Sequence, residues 1–275
     1  MKTVSANGAD IPVLGFGTWT LDDAEAEKMV AAALESGYRH IDTAAMYGNE
    51  TGVGRALSSA GCDRDELFLT TKVWHDQLQE GALQASVKQS LDKLAVDYVD
   101  LILVHWPSAT TPLEETVNAL NDVRQNGLAK HIGVANFTSS LIEQATRLSD
   151  APLVSNQIEY HAMLPQDTVK AACAANGIAI TAYCPLAQGR VLMEHPAITT
   201  PAARLGVTPG QIALNWLMQQ DNVIAIPRTH RPERLAQNLQ VFDLELTQKE
   251  RDAIDHLQSQ NLRVVNPGFA PEWDS

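Results

Sequence analysis

Apolar and polar positions along the chain alternate between two patterns. Short, nearly continuous apolar runs read as strands buried on both faces, and the stretch after each has the three-to-four-residue apolar spacing of an amphipathic helix. The runs are "VLGFGTW", "HIDTA", "LFLTTKV", "VDLILVH", "HIGVAN", "LVSNQIE", "IAITAYC" and "VIAIPRT". The helical patterns cover 22–36, 49–60, 79–95, 112–126, 138–148, 166–175, 208–220 and 231–239, with an irregular segment before the seventh. Eight strand–helix units in succession predict an α/β fold, a (β/α)8 TIM barrel. Ahead of them, "TVSANGADIPV" carries Asn7-Gly8, the pair a type I′ β-hairpin turn prefers because both central residues need positive φ. A further C-terminal helix over 247–258 and a tail to Ser275 are expected to pack outside the barrel or over one end.

The competing α/β architecture is a doubly wound sheet with a dinucleotide at its first turn. "GFGTWT" (15–20) lacks the last glycine of G-x-G-x-x-G, and "GVGRAL" (52–57) lies inside a helical pattern, so neither is the fingerprint. P-loop and His-Glu-x-x-His patterns are also absent, and the eight histidines have no paired ligand spacing, so no metal is expected.

With 275 residues and 45% hydrophobic content, the chain is expected to form one domain over 1–275, since no linker or charge block divides it. A net charge of −13 argues against nucleic acid and anionic membrane as partners, so any anion must find a local basic patch. Cys62, Cys173 and Cys184 form no Cys-x-x-Cys pair and read as reduced thiols of a cytoplasmic protein. No apolar run reaches the ~20 residues of a membrane helix, and the first ten residues lack a signal core. A monomer is expected.

Candidate chemistry collects at the strand ends, which face one mouth of such a barrel. Asp42 ends the second strand and Tyr47 lies in its loop, while Lys72 ends the third strand and His105 the fourth. Singly, each has an ordinary explanation as a solvated strand end or a satisfied core group. Together they match general-acid chemistry: Lys72, leaving an apolar strand, needs the Asp42 carboxylate and is expected to lower the pKa of Tyr47. His105 would then hydrogen-bond a carbonyl oxygen as it gains charge, with a cofactor supplying hydride. A Schiff-base aldolase using Lys72 is the rival reading, although Asp42 should oppose the lowered lysine pKa that such chemistry needs. In "IPRTHRPERLAQN", Arg228, Arg231 and Arg234 cluster where the eighth strand enters its helix. Cations at a helix N-terminus oppose its dipole unless an anion sits among them, and this is where the fold commonly binds phosphate.

The segments "GYRHIDTAAMYGNE", "LFLTTKVW", "YVDLILVHWP", "HIGVANF", "NQIEYH", "AYCPLAQG" and "IPRTHRPERLAQN" resemble the aldo-keto reductase superfamily, in order and along most of the chain. The resemblance implies NADPH-dependent reduction of aldehydes and ketones, with Asp42, Tyr47, Lys72 and His105 as the catalytic tetrad. It places Asn136 and Gln157 on the nicotinamide carboxamide and stacks Tyr183 on the ring. Arg228, Thr229 and Arg234 would grip the 2′-phosphate, with Gln237 and Asn238 near the adenine. Ala135 and Cys184 stand where the family usually has serine, and Arg228 where lysine is commoner. The first departure implies a missing hydrogen bond to the nicotinamide, whereas arginine preserves the charge. "PLAQGR", the short loop after His105 and the tail resemble bacterial 2,5-diketo-D-gluconate and methylglyoxal reductases, which implies a small polar carbonyl substrate. Trp19, Trp74, Trp106, His105 and Gln188, with Arg190 beside them, would line its pocket. The same fold also serves non-catalytic NADPH-binding redox-sensing subunits, so that alternative stays open.

Overall fold

In the computed structural model, which describes residues 2–189 and 191–274, β1 (Thr3–Ala6) and β2 (Ala9–Pro12) pair antiparallel across Asn7 and Gly8. The φ angles there, 46° and 89°, are the positive pair expected of the turn. Asn7 donates its side-chain amide to the carbonyls of Leu153 and Asn176, so the hairpin closes the end of the barrel where strands begin. It is a plug under the interior, on the side away from the strand-end residues.

Eight parallel strands follow: β3 (Phe16–Gly17), β4 (His40–Asp42), β5 (Phe68–Val73), β6 (Val99–Val104), β7 (Ala129–Ala135), β8 (Leu153–Glu159), β9 (Ala179–Tyr183) and β10 (Val223–Ala225). Each pairs with the next in sequence. A parallel bridge between Leu14 and Ala225 joins last to first and closes the (β/α)8 barrel.

Among the described residues, five of the ten helices start at a side-chain cap. In α1 (Asp23–Glu35), Asp22 and Glu25 form a reciprocal capping box, as do Thr208 and Gln211 at α8 (Pro209–Met218). Between them lie α2 (Glu50–Ser59), α3 (Ala82–Leu94), α4 (Leu113–Gln125), α5 (Ser139–Leu148), α6 (Asp167–Ala175) and α7 (Pro196–Leu205); α9 (Pro232–Leu239) and α10 (Gln248–Asp255) complete the set. The sequence reading missed α7, taking its region as irregular. Pro201 inside this ten-residue helix hides its period, while His195 as cap, Pro196 in the first turn and Gly206 at the left-handed C-terminus hold it. The C-terminal helix is also shorter than its 247–258 pattern, giving way to a 3-10 turn at His256–Gln260.

The glycines of "GVGRAL" serve packing between helices. A Cβ on Gly54 would stand 2.5 Å from the carbonyl oxygen of Lys93, and one on Gly52 would collide with the Asp23 carbonyl. Only glycine lets α2 lie this close to α1 and α3.

Apolar residues form two cores, the larger between sheet and helices. The smaller, with Phe68, Leu101, Leu103, Ala135, Ala179 and Ile224, fills the interior above the plug residues Ala6, Ala9 and Ile11. Successive strand residues face opposite ways, so Phe68–Thr70–Lys72 and Leu101–Leu103–His105 each run up one interior column. The strand period therefore carries both basic groups from an apolar floor to the open mouth.

Candidate active site

At the top of these columns Lys72, with a fully buried side chain, donates to Asp42 Oδ1 at 2.5 Å, to the Thr43 carbonyl at 2.8 Å and to the Tyr47 hydroxyl at 3.4 Å. Its three ammonium protons are all used. Asp42 Oδ2 accepts from the Gln157 amide at 2.7 Å, so the carboxylate is held from two sides. Tyr47 sits in a one-turn 3-10 helix, Ala45–Tyr47, that ends at Gly48 with φ 69°, which turns the phenol back over Lys72. His105 meets the Tyr47 ring edge-on at a centroid distance of 5.6 Å, and its buried Nδ1 has no partner.

The electrostatics correct one expectation. Burial pushes the Tyr47 phenol well above its ordinary value, and the nearby Asp42 charge adds to the rise. The Lys72 hydrogen bond at 3.4 Å does not reverse that net rise. Burial likewise pushes Lys72 down, outweighing the opposing pull of Asp42. Asp42 therefore does not keep this lysine from a lowered pKa; what opposes Schiff-base chemistry is geometry, since the nitrogen spends its protons on Asp42, Thr43 and Tyr47 and does not line the cavity. Burial, reinforced by Lys72, holds His105 well below the usual histidine range. The mouth thus presents a protonated phenol and a neutral imidazole at neutral pH.

These groups open into a cavity of about 970 Å3. Asp42, Tyr47, His105, Trp19, Trp74, Trp106 and Gln188 line it, as do Asn136, Gln157, Tyr183 and Arg228. Lys72 lies behind the wall. Asn136, left-handed at φ 61°, donates to the His105 carbonyl at 2.9 Å and accepts from the Tyr183 hydroxyl at 2.8 Å. Arg190 lies outside the described residues.

A second hollow of about 370 Å3 is lined by Arg228, Thr229, His230, Arg231, Arg234 and Asn238, and it shares Leu186 and Arg228 with the large cavity. Three of the chain's 20 basic residues converge there despite the overall negative charge. Gln237 does not line it; its backbone carbonyl accepts from Gln211, and its side-chain oxygen is buried without a partner. An elongated anionic ligand with one end at Asn136 and Tyr183 and a phosphate among the arginines fits this shape and donor set.

Sequence reasoning missed a wall of the cavity. Val264, Val265, Asn266, Pro267 and Phe269 of the C-terminal segment line it. Phe269 packs edge-on against Trp74 and Trp106 at 5.7 and 5.5 Å. Trp106 also meets Trp273 at 5.9 Å. Met46, Cys184 and Ile226 were missed as well; burial raises the Cys184 thiol to about 11, which makes it a weak nucleophile. Tail residues have no period to betray where they fold back, and the aromatic content of "NPGFAPEW" was the available signal. Among the described residues no His/Cys/Asp/Glu group is arranged to hold a metal ion, and no helix is long and apolar enough to cross a membrane.

The sequence profile of the Aldo/keto reductase family matches residues 13–259. An aldo-keto reductase of Mycobacterium avium is 42% identical over 97% of this chain and 93% of its own length. Among solved structures, one named provisionally as a 2,5-diketo-D-gluconic acid reductase B superposes with TM-score 0.97, at 46% identity over 100% of this chain and 98% of that one. An aldo-keto reductase of Bombyx mori, solved with NADP, superposes with TM-score 0.89, at 34% identity over 98% of both chains. Family profile, full-length relatives and a barrel with an acid–lysine–phenol–imidazole cluster at its mouth agree: the chain belongs to the aldo/keto reductase family and is an oxidoreductase.

Proposed function

We propose that this protein is an NADPH-dependent reductase of small polar aldehydes and ketones, working as a monomer with one barrel domain and Asp42, Tyr47, Lys72 and His105 as its catalytic group. The observation that carries the reading is the set of three hydrogen bonds from Lys72, which fixes the Tyr47 phenol on the cavity wall beside His105. The joined hollows support the cofactor: Asn136, Gln157 and Tyr183 would hold the nicotinamide, and Arg228, Thr229 and Arg234 the 2′-phosphate, with Asn238 toward the adenine. Bound there, NADPH would supply the hydride that reduces the carbonyl carbon.

The chain's own residues supply the rest. His105, neutral because it is buried, donates a hydrogen bond to the carbonyl oxygen and orients it toward Tyr47. As negative charge builds on that oxygen, the Tyr47 O–H bond breaks and its proton forms the alcohol O–H, with Lys72 stabilising the phenolate left behind. A raised phenol pKa suits this sequence, because the proton stays on Tyr47 until an alkoxide-like oxygen demands it. Asp42 positions Lys72, and Gln157 positions Asp42 until an amide ligand competes for it. Trp19, Trp74 and Trp106 form apolar walls for the substrate, and Gln188 offers a polar contact.

The wall formed by residues 264–269 narrows the mouth and supports small substrates, and the name of the diketogluconic acid reductase relative points to the same class. NADPH consumption measured with a panel of small ketoacids, methylglyoxal and bulky ketones tests the reading. The expected result is the highest kcat/KM among the small polar carbonyls. Highest kcat/KM for steroid-sized ketones would overturn the substrate class, and NADPH binding without any carbonyl-dependent turnover would favour a non-catalytic sensor.

A further inference from the structure

The carboxylate of Glu159, at the mouth end of β8, is fully buried and takes no part in the chemistry above. Its two oxygens receive consecutive backbone N–H groups of the tail: Val264 N donates to Oε1 at 2.6 Å, and Val265 N donates to Oε2 at 2.8 Å. His161, also fully buried, completes the arrangement. Met163 N–H donates to its Nδ1 at 3.3 Å, so the ring proton sits on Nε2, which faces Glu159 Oε1 at 3.0 Å. Two residues before the clamped pair, Leu262 N donates to the Met163 carbonyl at 2.8 Å, and the Arg263 guanidinium stacks over Trp273 at 3.8 Å. The tail thus has no regular secondary structure at 261–274, yet its start is fastened at a buried acidic point, and its end at Asp274, which accepts from Ser139 N at 2.8 Å and Ser139 Oγ at 2.6 Å.

We infer that Glu159 is a positioning residue that latches segment 262–269 in place as a wall of the pocket and so limits the size of carbonyl admitted. The inference rests on the carbonyl-reductase reading for its substrate consequence only; the latch itself is a matter of the fold. A carboxylate is required because only it offers two acceptors to two adjacent N–H groups. An amide in its place turns one acceptor into a donor facing a donor, leaving a buried N–H unpaired. Phe269 and Pro267 would then lie between the Leu262 and Asp274 attachments with only aromatic and apolar contacts of their own, and the wall they make would open part of the time.

Hydrogen exchange on the full-length wild-type protein, resolved at Val264 and Val265, tests the latch without any substrate. These amides should exchange at least about tenfold more slowly than that of Gly268, which has no such partner. In Glu159→Gln the protection should vanish, and tryptophan emission should shift as Phe269 and Trp273 leave Trp106. The kcat/KM ratio of a bulky to a small carbonyl should rise about tenfold or more, mostly through KM. Phe269→Ala, an exposed change that leaves the latch intact, should move the ratio in the same direction, and adding it to Glu159→Gln should bring little more. Rapid exchange at both amides in the wild type would overturn the latch, even if the Gln variant proves unable to fold. An unchanged ratio in a folded Glu159→Gln protein would overturn its link to selectivity. A wild type that reduces no carbonyl would remove the proposed function while leaving the exchange result to decide the latch.

Discussion

Removing either member of the Lys72–Asp42 pair should damage both stability and turnover, whereas removing both should restore only stability. Their side chains are 0% and 2% exposed, so each charge depends on the other. Lys72→Met leaves a buried carboxylate with only the Gln157 amide, and Asp42→Asn leaves a buried ammonium with neutral partners. Breaking a buried ion pair from one side costs about 3–5 kcal/mol. In the double variant neither member of the pair is stranded: Gln157 can still donate to Asn at position 42, and the losses are the attraction of Lys72 for buried Glu50 and the Thr43 carbonyl, whose burial without a donor costs about 1–3 kcal/mol. The double variant should therefore be more stable than the sum of the single losses implies by about 3 kcal/mol or more. Urea unfolding of the four proteins measures the coupling, and NADPH-linked carbonyl reduction measures turnover. All three variants should lose turnover by at least about a hundredfold, since Lys72, which stabilises the phenolate, is either removed or no longer positioned by Asp42. Additive stability losses would refute the claim that the pair is a mutually dependent buried unit, and restored turnover in the double variant would refute the catalytic role of Lys72.

Arg234→Ala should weaken NADPH by about 10- to 150-fold, as expected for one charge-assisted contact of about 1.5–3 kcal/mol, while barely moving NADH. Titration of both cofactors decides this, and an equal loss for NADH would place the 2′-phosphate elsewhere. Because His105 is held well below the usual histidine range and Tyr47 well above its ordinary value, both keep one protonation state from mildly acidic to mildly alkaline pH. The kcat profile should therefore show no step near ~6.5, and a step there that disappears in His105→Gln would contradict a neutral imidazole.

The barrel was readable because eight buried strands repeat one apolar pattern, and the gathering of Lys72 and His105 at the mouth because period-two alternation sends them up interior columns. What the residue letters did not carry was contact made by backbone or by folding back. The Thr43 carbonyl under Lys72 is invisible as a residue type, and the tail wall depends on Glu159 meeting two N–H groups more than a hundred residues away. The sign of the Tyr47 shift was misread for a related reason. Proximity to a lysine was legible, but the depth at which the phenol is buried beside the Asp42 charge is a three-dimensional fact. Helix α7 escaped because an internal proline and a short span mask its period.

The central claim is that Tyr47 delivers the proton in an NADPH-linked carbonyl reduction. Wild type and Tyr47→Phe should be compared side by side, with cofactor binding followed by fluorescence and turnover of a small aldehyde followed by NADPH consumption and alcohol formation. NADPH affinity should be equal in the two proteins, with one alcohol formed per NADPH consumed in the wild type and a loss of about 10²–10⁴-fold in the Phe variant. A Phe variant that reduces the aldehyde at the wild-type rate would contradict it.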